Sequence, residues 1–282
     1  MKLFAFRNIV ISKSHLKNIP LLKGAFTMTF SRELFSFLLL RLGVIVAISA
    51  LWQGLAWLIA SPDFPSLVAV INSVQYHLNE GDMVSNVLIT LRRVLLSFII
   101  AMLLGGIIGI MMGVNAWINK LSDSLLIIML NIPALVTILL CYIWFGLVES
   151  AAIAAVVINK IPTVVVMIRE GARTVDKDLL AVAKIYQLSA SKTFFKVFLP
   201  QLYPFIIASA RSGLSLIWKI VLVVELLGRS DGVGFALNTL FQFFDIAGIL
   251  AYTLVFVVII LLIEALIFKP FDKLVARGSR FD

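Results

Sequence analysis

The sequence predicts an all-α integral membrane protein with six transmembrane helices and both termini on the cytoplasmic side. Three observations lead there. Of its 282 residues, 61% are hydrophobic and 14% charged, and the mean hydropathy is +1.07. Several apolar runs exceed about 18 residues, enough to cross a hydrocarbon core about 30 Å thick. The basic residues gather in alternate connections between those runs, as in cytoplasmic flanks on an anionic leaflet.

Taken in order, residues 1–33 form a basic tail with Lys2, Arg7, Lys13, Lys17, Lys23 and Arg32. Its scattered Phe, Leu and Ile fit an amphipathic helix on the membrane surface or a disordered tether. Arg7 breaks the first short apolar stretch, so no signal-peptide design is legible. The first span is expected at 34–60. Arg41 snorkels toward the cytoplasm there, and Trp52 and Trp57 approach the far interface. Residues 61–84 are an outer connection with a short amphipathic helix near Ser66–Leu78. The core, 85–268, then holds five spans.

The second span, about Ser85–Val114, carries Gly105, Gly109 and Gly113 at i, i+4 and i+8, with Gly106 beside them. Small residues at that spacing let helix backbones approach closely in lipid. A polar turn at Asn115–Ser122 leads to the third span, about Leu125–Leu147. Pro133 within it predicts a kink. The fourth span, about Ala151–Ile168, is expected to break at Asn159–Pro162. The fifth, about Phe205–Leu227, contains Arg211, Lys219 and Glu225. A Gly-containing outer connection follows, then the sixth span at about Ile246–Phe268 and a basic tail, 269–282.

Between the fourth and fifth spans lies a polar, basic loop, 169–203. It reads as two short helices, Asp178–Tyr186 and Ala190–Leu199, joined by a turn at Gln187–Ser189. Asp176 and Asp178 favour the positive end of the first helix dipole. Phe194, Val197 and Phe198 share one face of the second, Lys192 and Lys196 another. Pro200 and Pro204 are expected to stop it. From spacing alone the pair is either a docking surface tethered at both ends or a solvated loop lying on the leaflet.

The charge distribution sets the orientation. With the N-tail inside, six Lys/Arg fall in 1–33, one in the 115–122 turn, six in 169–203 and four in 269–282, against Arg92, Arg93 and Arg229 outside. The net charge of +9 thus belongs to membrane flanks rather than to a nucleic-acid surface. The sequence has one cysteine, Cys141, inside an apolar run, so neither a disulfide framework nor a thiolate metal site is expected. His15 and His77 are isolated and read as surface residues rather than ligands.

Several short patterns resemble those of ABC-importer permeases of the nitrate, sulfonate, taurine and bicarbonate branch. In the family's cytoplasmic coupling loop, Glu-Ala-Ala, three residues, Gly, about nine residues, an apolar residue and Leu-Pro recur. Ala181-Val182-Ala183, Gln187, Phe198 and Leu199-Pro200 match that spacing, with Ala181 in place of Glu and Gln187 in place of Gly. The Pro65-Ser66 pair resembles the family's opening of a short external helix. Thr90-Leu91-Arg92, with Arg93 added, is similar to its Ser-Leu-x-Arg. Trp144-Phe145-Gly146, Glu225 with Leu227-Gly228, and Gly232-Val233-Gly234 have counterparts too.

The resemblance implies a type I ABC importer permease fold in the bacterial inner membrane. It implies a second permease copy, forming a homodimer, two ATP-binding subunits beneath the coupling loops and a solute-binding protein outside. No cofactor is expected in this chain; it has no phosphate-binding loop, so ATP and Mg belong to the partner ATPase. The implied ATPase-coupling residues are Asp178, Ala181, Ala183, Lys184, Gln187, Leu188, Ser189, Phe194, Leu199 and Pro200.

Cations inside lipid are costly and usually face a water-filled cavity or a partner. Lys219, Glu225, Arg92, Lys160 and Arg211 are therefore candidates for a translocation pathway, and basic residues there suit an anionic solute. Lys160 and Arg211 also lie where snorkelling to the cytoplasm is open to them. Other small organic solutes, such as thiamine precursors, fit the same pattern. A secondary transporter would call for intramembrane acidic coupling residues or inverted repeats. A membrane enzyme would call for a carboxylate pair, a His cluster or an activated Ser. None of these is legible, and no catalytic or metal-binding residue is expected.

Overall fold

Glycine sets the closest helix contact of the membrane core. In the computed structural model, which describes residues 39–40 and 43–268, a Cβ on Gly105 would fall 2.7 Å from Val164 Cβ. One on Gly109 would fall 2.9 Å from both Ile168 Cβ and the Val165 carbonyl, and one on Gly113 would fall 2.5 Å from Ala172 Cβ. The expected stripe is thus a seam within the chain. Both registers increase together, so the two helices run parallel. Gly106 faces open space instead.

The chain divides into two units, 1–67 and 68–282. In the first, α1 (Gly43–Ile59) is an apolar helix within the segment expected as the first span, and what is described of it is shorter than a membrane crossing needs. Trp52 Nε1–H donates to the Pro65 carbonyl at 3.0 Å and its ring stacks on Phe64, while the Leu67 N–H donates to Gln53 Oε1. These contacts turn the chain back at the outer end of α1. The basic tails expected at 1–33 and 269–282 lie outside the described residues, as does Arg41.

The second unit comprises α2 (Leu67–Asn79), α3 (Met83–Val114), α4 (Ala116–Asn131), α5 (Ala134–Phe145), α6 (Glu149–Arg173), α7 (Lys177–Ile185), α8 (Ala190–Thr193), α9 (Leu199–Gly228), α10 (Val233–Gln242) and α11 (Ile246–Ile263). Among the described residues, four helices are long and apolar enough to cross a membrane. The pair α4–α5 is a fifth if counted as one bent span. Its two halves meet at 96° around Pro133, where a helix must lose a backbone hydrogen bond.

Three local expectations need correction. The turn at 115–122 is almost wholly helix: Asn115 alone caps α4, its side chain accepting from the Trp117 and Ile118 N–H groups. The fourth span does not break at Asn159–Pro162, since α6 runs through Pro162. Pro162 is buried in close packing, and neighbouring helices can support the freed carbonyl. Pro200 and Pro204 do not stop the loop's second helix either. Residues 190–228 form one continuous helix, with a π turn at Phe194–Phe198 immediately before Pro200. There the Leu199 N–H reaches back to the Phe194 carbonyl, and Pro200, which lacks an N–H, follows directly inside the continued helix, next to this irregular turn.

Helix α9 runs antiparallel to α3 and α6 and completes a three-helix core. Gly171 of α6 lies against Phe205, Lys160 beside Gly213, and Arg93 of α3 against Glu225. Near the outer end, Ile138, Ala155, Ile217, Val221 and Ala251 are fully enclosed in one apolar cluster. Toward the loop helices, Val164, Ile168, Phe198 and Leu202 form another.

The glycine seam generates a prediction. Gly109→Leu should destabilise the protein by about 1–3 kcal/mol through overpacking and lower its melting temperature in detergent. Gly106→Ala, facing open space, should leave that temperature unchanged or raise it.

Candidate functional site

Three polar features interrupt the apolar body: the loop 169–203, expected on the cytoplasmic side, one face of α9, and a charge cluster at the opposite end of the core, called outer on the same expectation.

The loop follows the helix–turn–helix reading. Asp176 caps α7 by accepting from the Asp178 N–H at 2.7 Å. The helix ends in a Schellman turn: the Leu188 N–H donates to the Ala183 carbonyl and the Gln187 N–H to the Lys184 carbonyl, each at 3.0 Å. That motif requires a left-handed residue, and Gln187 supplies it with φ +50°. The turn geometry that favours glycine is therefore kept, at a cost of order 1 kcal/mol. Ser189 then caps the next helix through the Lys192 N–H.

Ala183 is buried, and Phe198, Leu202 and the half-buried Leu180 tie the loop to the inner apolar cluster. Leu179, Val182, Ile185, Tyr186 and Phe195 stay exposed, with Leu188 and Phe194 at the margin of exposure. Ala181, Lys184 and Pro200 are exposed, and Leu199 is half-buried. Such an apolar patch on a polar loop marks an interaction surface.

On α9 the buried side carries Ser209, Gly213, Ile217, Val221 and Val224. The opposite side exposes Arg211, Ser212, Ser215 and Lys219, a polar face on an otherwise apolar span. Arg211 pairs with Glu264 at 3.1 Å. Both line a cavity of about 460 Å³ with Ser212, Ser215, Trp218 and Ile260.

The outer cluster centres on Arg93, only 2% exposed. Its Nε–H donates to Glu149 at 3.0 Å. Nη1 donates to Glu225 at 2.9 Å and to the Asp231 carbonyl at 3.0 Å. Nη2 donates to Glu149 at 2.7 Å and to the Asp231 carboxylate at 2.5 Å. Every N–H of the guanidinium has a partner.

Glu225, fully enclosed, is wrapped further. Thr90 Oγ1 lies 2.9 Å from each of its oxygens, and the Gly234 N–H donates to it at 2.9 Å. The Val233 N–H donates to Thr90 Oγ1 and the Gly232 N–H to Asn86. The glycines now have a physical reason. Gly232 has φ +99°, and a Cβ there would meet the Glu225 carboxylate at 2.5 Å. A Cβ on Gly234 would run into the Leu222 carbonyl. Arg229 and Arg92 complete the cluster at 3.3 and 3.7 Å from Glu149. Arg92, Arg93 and Arg229 thus balance Glu149, Glu225 and Asp231.

The sequence-derived pathway residues are not brought together. Lys219 and Arg211 share the exposed side of α9, whereas Glu225 turns inward to Arg93. Arg92 is an exposed rim residue. Lys160 does not snorkel: it is 2% exposed, lies beside Gly213, and its Nζ has no hydrogen-bond partner among the described residues.

Sequence reasoning set Arg93 beside Arg92, at the outer mouth or among headgroups, quoted Thr90 only as part of a motif, and gave no role to Glu149 or Asp231. The signal for Arg93 was present. Taken residue by residue, Ser-Leu-x-Arg falls on Thr90, Leu91, Arg92 and Arg93, so its arginine is Arg93. No group of three metal-ligating side chains occurs among the described residues.

Comparison with known proteins agrees with this architecture. Residues 101–269 match the family described as binding-protein-dependent transport system inner membrane component. The chain is 27% identical over 214 residues to the putative aliphatic sulfonates transport permease protein SsuC of Bacillus subtilis (strain 168), covering 75% of this chain and 78% of that one. It is 26% identical over 175 residues to the taurine transport system permease protein TauC of Escherichia coli (strain K12), covering 62% and 64%. A crystal structure of an amino acid ABC transporter with histidines shares the fold, with a TM-score of 0.56 at 21% identity, over 68% of this chain and 92% of that one.

Removing one partner of a buried ion pair strands the other charge. Arg93→Ala should destabilise the protein by about 3–5 kcal/mol, read as a loss of folded protein in detergent. Arg92→Ala, at an exposed rim, should cost no more than about 1 kcal/mol.

Proposed function

This chain belongs to the family of binding-protein-dependent transport system inner membrane components, and from that premise we propose that it moves a small anionic solute of the sulfonate, taurine, nitrate or bicarbonate class. As a member it is a multi-pass inner-membrane permease subunit of an ABC importer and is not itself an enzyme. It works with separate ATPase and solute-binding subunits.

The observation that carries the solute class is the exposed polar face of α9. Lys219 and Arg211 project from a membrane span, where a cation facing lipid costs roughly 3 kcal/mol. A second copy of the chain against this face encloses a water-filled path with positive walls. The path then belongs to a homodimer with two ATPase subunits below and one solute-binding protein above. ATP and Mg stay with the ATPases. The relatives' names for sulfonate and taurine transport favour an anion over a thiamine precursor.

The loop 169–203 is the lever. Leu188, Phe194 and the apolar face of α7 seat in the ATPase, while Asp178, Gln187 and Ser189 set the shape of the helix pair through their caps and turn. Ala183, Leu199 and Pro200 fix the pair to the span. Ala181 and Lys184 sit on the exposed surface of the same helix. ATP binding draws the ATPases together and displaces α7 and α8. Because Ala190–Gly228 is one helix, the displacement reaches the outer half of α9, and the spans rock between inward- and outward-open states. The π turn at Phe194–Phe198 is the soft joint of this helix.

Co-purification tests the lever. The tagged chain should retain an ATPase subunit from detergent, and the pair Leu188→Asp and Phe194→Asp should lose it while the chain stays folded. Retention of the ATPase by the double variant would remove the loop from the interface. Uptake tests the path. Lys219→Ala should cut transport of sulfonate, taurine, nitrate or bicarbonate in vesicles at least about tenfold without releasing the ATPase, a rise of order 1.4 kcal/mol in the activation barrier. Unchanged uptake would take Lys219 off the path.

A further inference from the structure

A second cavity, of about 990 Å³, opens between the inner end of α3, the first turn of α4 and the loop helices. It is at the upper end of ligand-pocket sizes, about 300–1,000 Å³. Its cations are Arg173, Lys177 and Lys184, and no carboxylate is among its described lining residues. Arg173 is shared with Glu170 at 3.0 Å. Neither Lys177 nor Lys184 is paired with a carboxylate among the described residues. Lys177, Leu180 and Lys184 lie at i, i+3 and i+7, so one face of α7 turns two cations and an aliphatic side chain into the groove.

The floor is apolar. Met111 and Val114 are exposed at the end of α3, Ile118 is half-buried in α4, and Phe194 and Phe198 close the far wall. Trp117, 72% exposed in the first turn of α4, marks the level of the membrane interface, where Trp is enriched. The positive-inside pattern puts this level on the cytoplasmic leaflet. A basic groove with an apolar floor between helices on that side has the chemistry of an anionic-lipid site.

A soluble partner fits less well, because α7 offers it a different face. Leu179, Val182 and Tyr186 are exposed and sit two residues away from the basic positions, a rotation of about 200° on a helix.

We propose that this groove holds an anionic phospholipid, its phosphate among Arg173, Lys177 and Lys184 and its chains along Met111, Val114 and Ile118. The lipid then occupies the basic face of α7 while the ATPase takes the apolar one, the two meeting at Leu188 and Phe194 on the edge of the groove, and the charge of the inner leaflet sets how firmly the loop is held. The lipid site itself does not depend on which solute is carried.

The test is native mass spectrometry of the intact complex with phosphatidylglycerol or phosphatidylcholine of the same chains. Wild type should retain one phosphatidylglycerol per chain and release phosphatidylcholine. At about 1 kcal/mol per basic residue, the triple change Arg173→Gln, Lys177→Gln and Lys184→Gln should weaken retention on the order of a hundredfold. Lys184→Gln alone, the milder change should the triple fail to fold, should weaken it about fivefold. Lys192→Gln with Lys196→Gln, outside the groove, should change nothing. Equal retention of both lipids, or of phosphatidylglycerol by wild type and Lys184→Gln, overturns the proposal. So does binding that appears only after the ATPase subunit is removed, which would give the groove to a protein segment.

Discussion

The enclosed pair of Arg93 and Glu225 is the constraint around which the outer half of the molecule is arranged. Two charges removed from water and lipid cost several kcal/mol each unless their hydrogen-bonding capacity is filled. Filling it recruits α3, α6, α9 and the start of α10 to one point, through Thr90, Glu149, Asp231 and the backbone of Gly232–Gly234. A nonpolar cluster in the same place would hold the helices together but tolerate sliding. The guanidinium fork does not, because each N–H has a fixed direction. The cluster therefore fixes register as well as proximity, and it does so where the three long helices converge.

At the other end of the same helices directed bonds and packing share the work. The glycine seam joins α3 to α6, and Phe198 and Leu202 close an apolar cluster beside it. Around that cluster Arg169 pairs with Asp123 and donates to Asn119, tying the start of α4 to the end of α6. The Asp176 N–H donates to Gln201, which ties the start of α7 to α9. Dispersion contacts lack the directional demand of an ion pair, so these few polar bonds set the register at this end as Arg93 does at the other. The π turn at Phe194–Phe198 lies between the loop helices and the Arg93 cluster on one helix.

Much of this was legible in the sequence, and the exceptions share a cause. Span positions, the bent third span, the seam and the loop's two helices follow from local pattern: apolar length, one proline, a four-residue glycine period, capping residues. What failed locally was the effect of prolines inside packed helices. Pro162 and Pro204 read as breaks, yet α6 and α9 pass through them, because tertiary packing outweighs a single lost hydrogen bond. The outer cluster was illegible for another reason. The carboxylates around Arg93 stand 56 to 138 residues from it in sequence, and nothing in the spacing of Arg93 and Glu149 links them. Family patterns touched Arg93, Glu225 and Gly232–Gly234 separately, without bringing them to one point.

The two charges nearest one another on α9 show why position along a span is insufficient to assign a role. Lys219 and Glu225 are six residues apart, which on a helix is a rotation of about 600°, or 240° net. They consequently face different surroundings. Glu225 looks into the chain and is fully enclosed; Lys219 looks out. Glu225 has every reason to stay where it is, since moving it into a path would strand Arg93. Lys219 has no such tie among the described residues, for its side of α9 is exposed there. One helix thus presents two unlike faces, an inward one that holds the chain together through Glu225 and an exposed polar one, and it is on the exposed face that the proposed solute path rests.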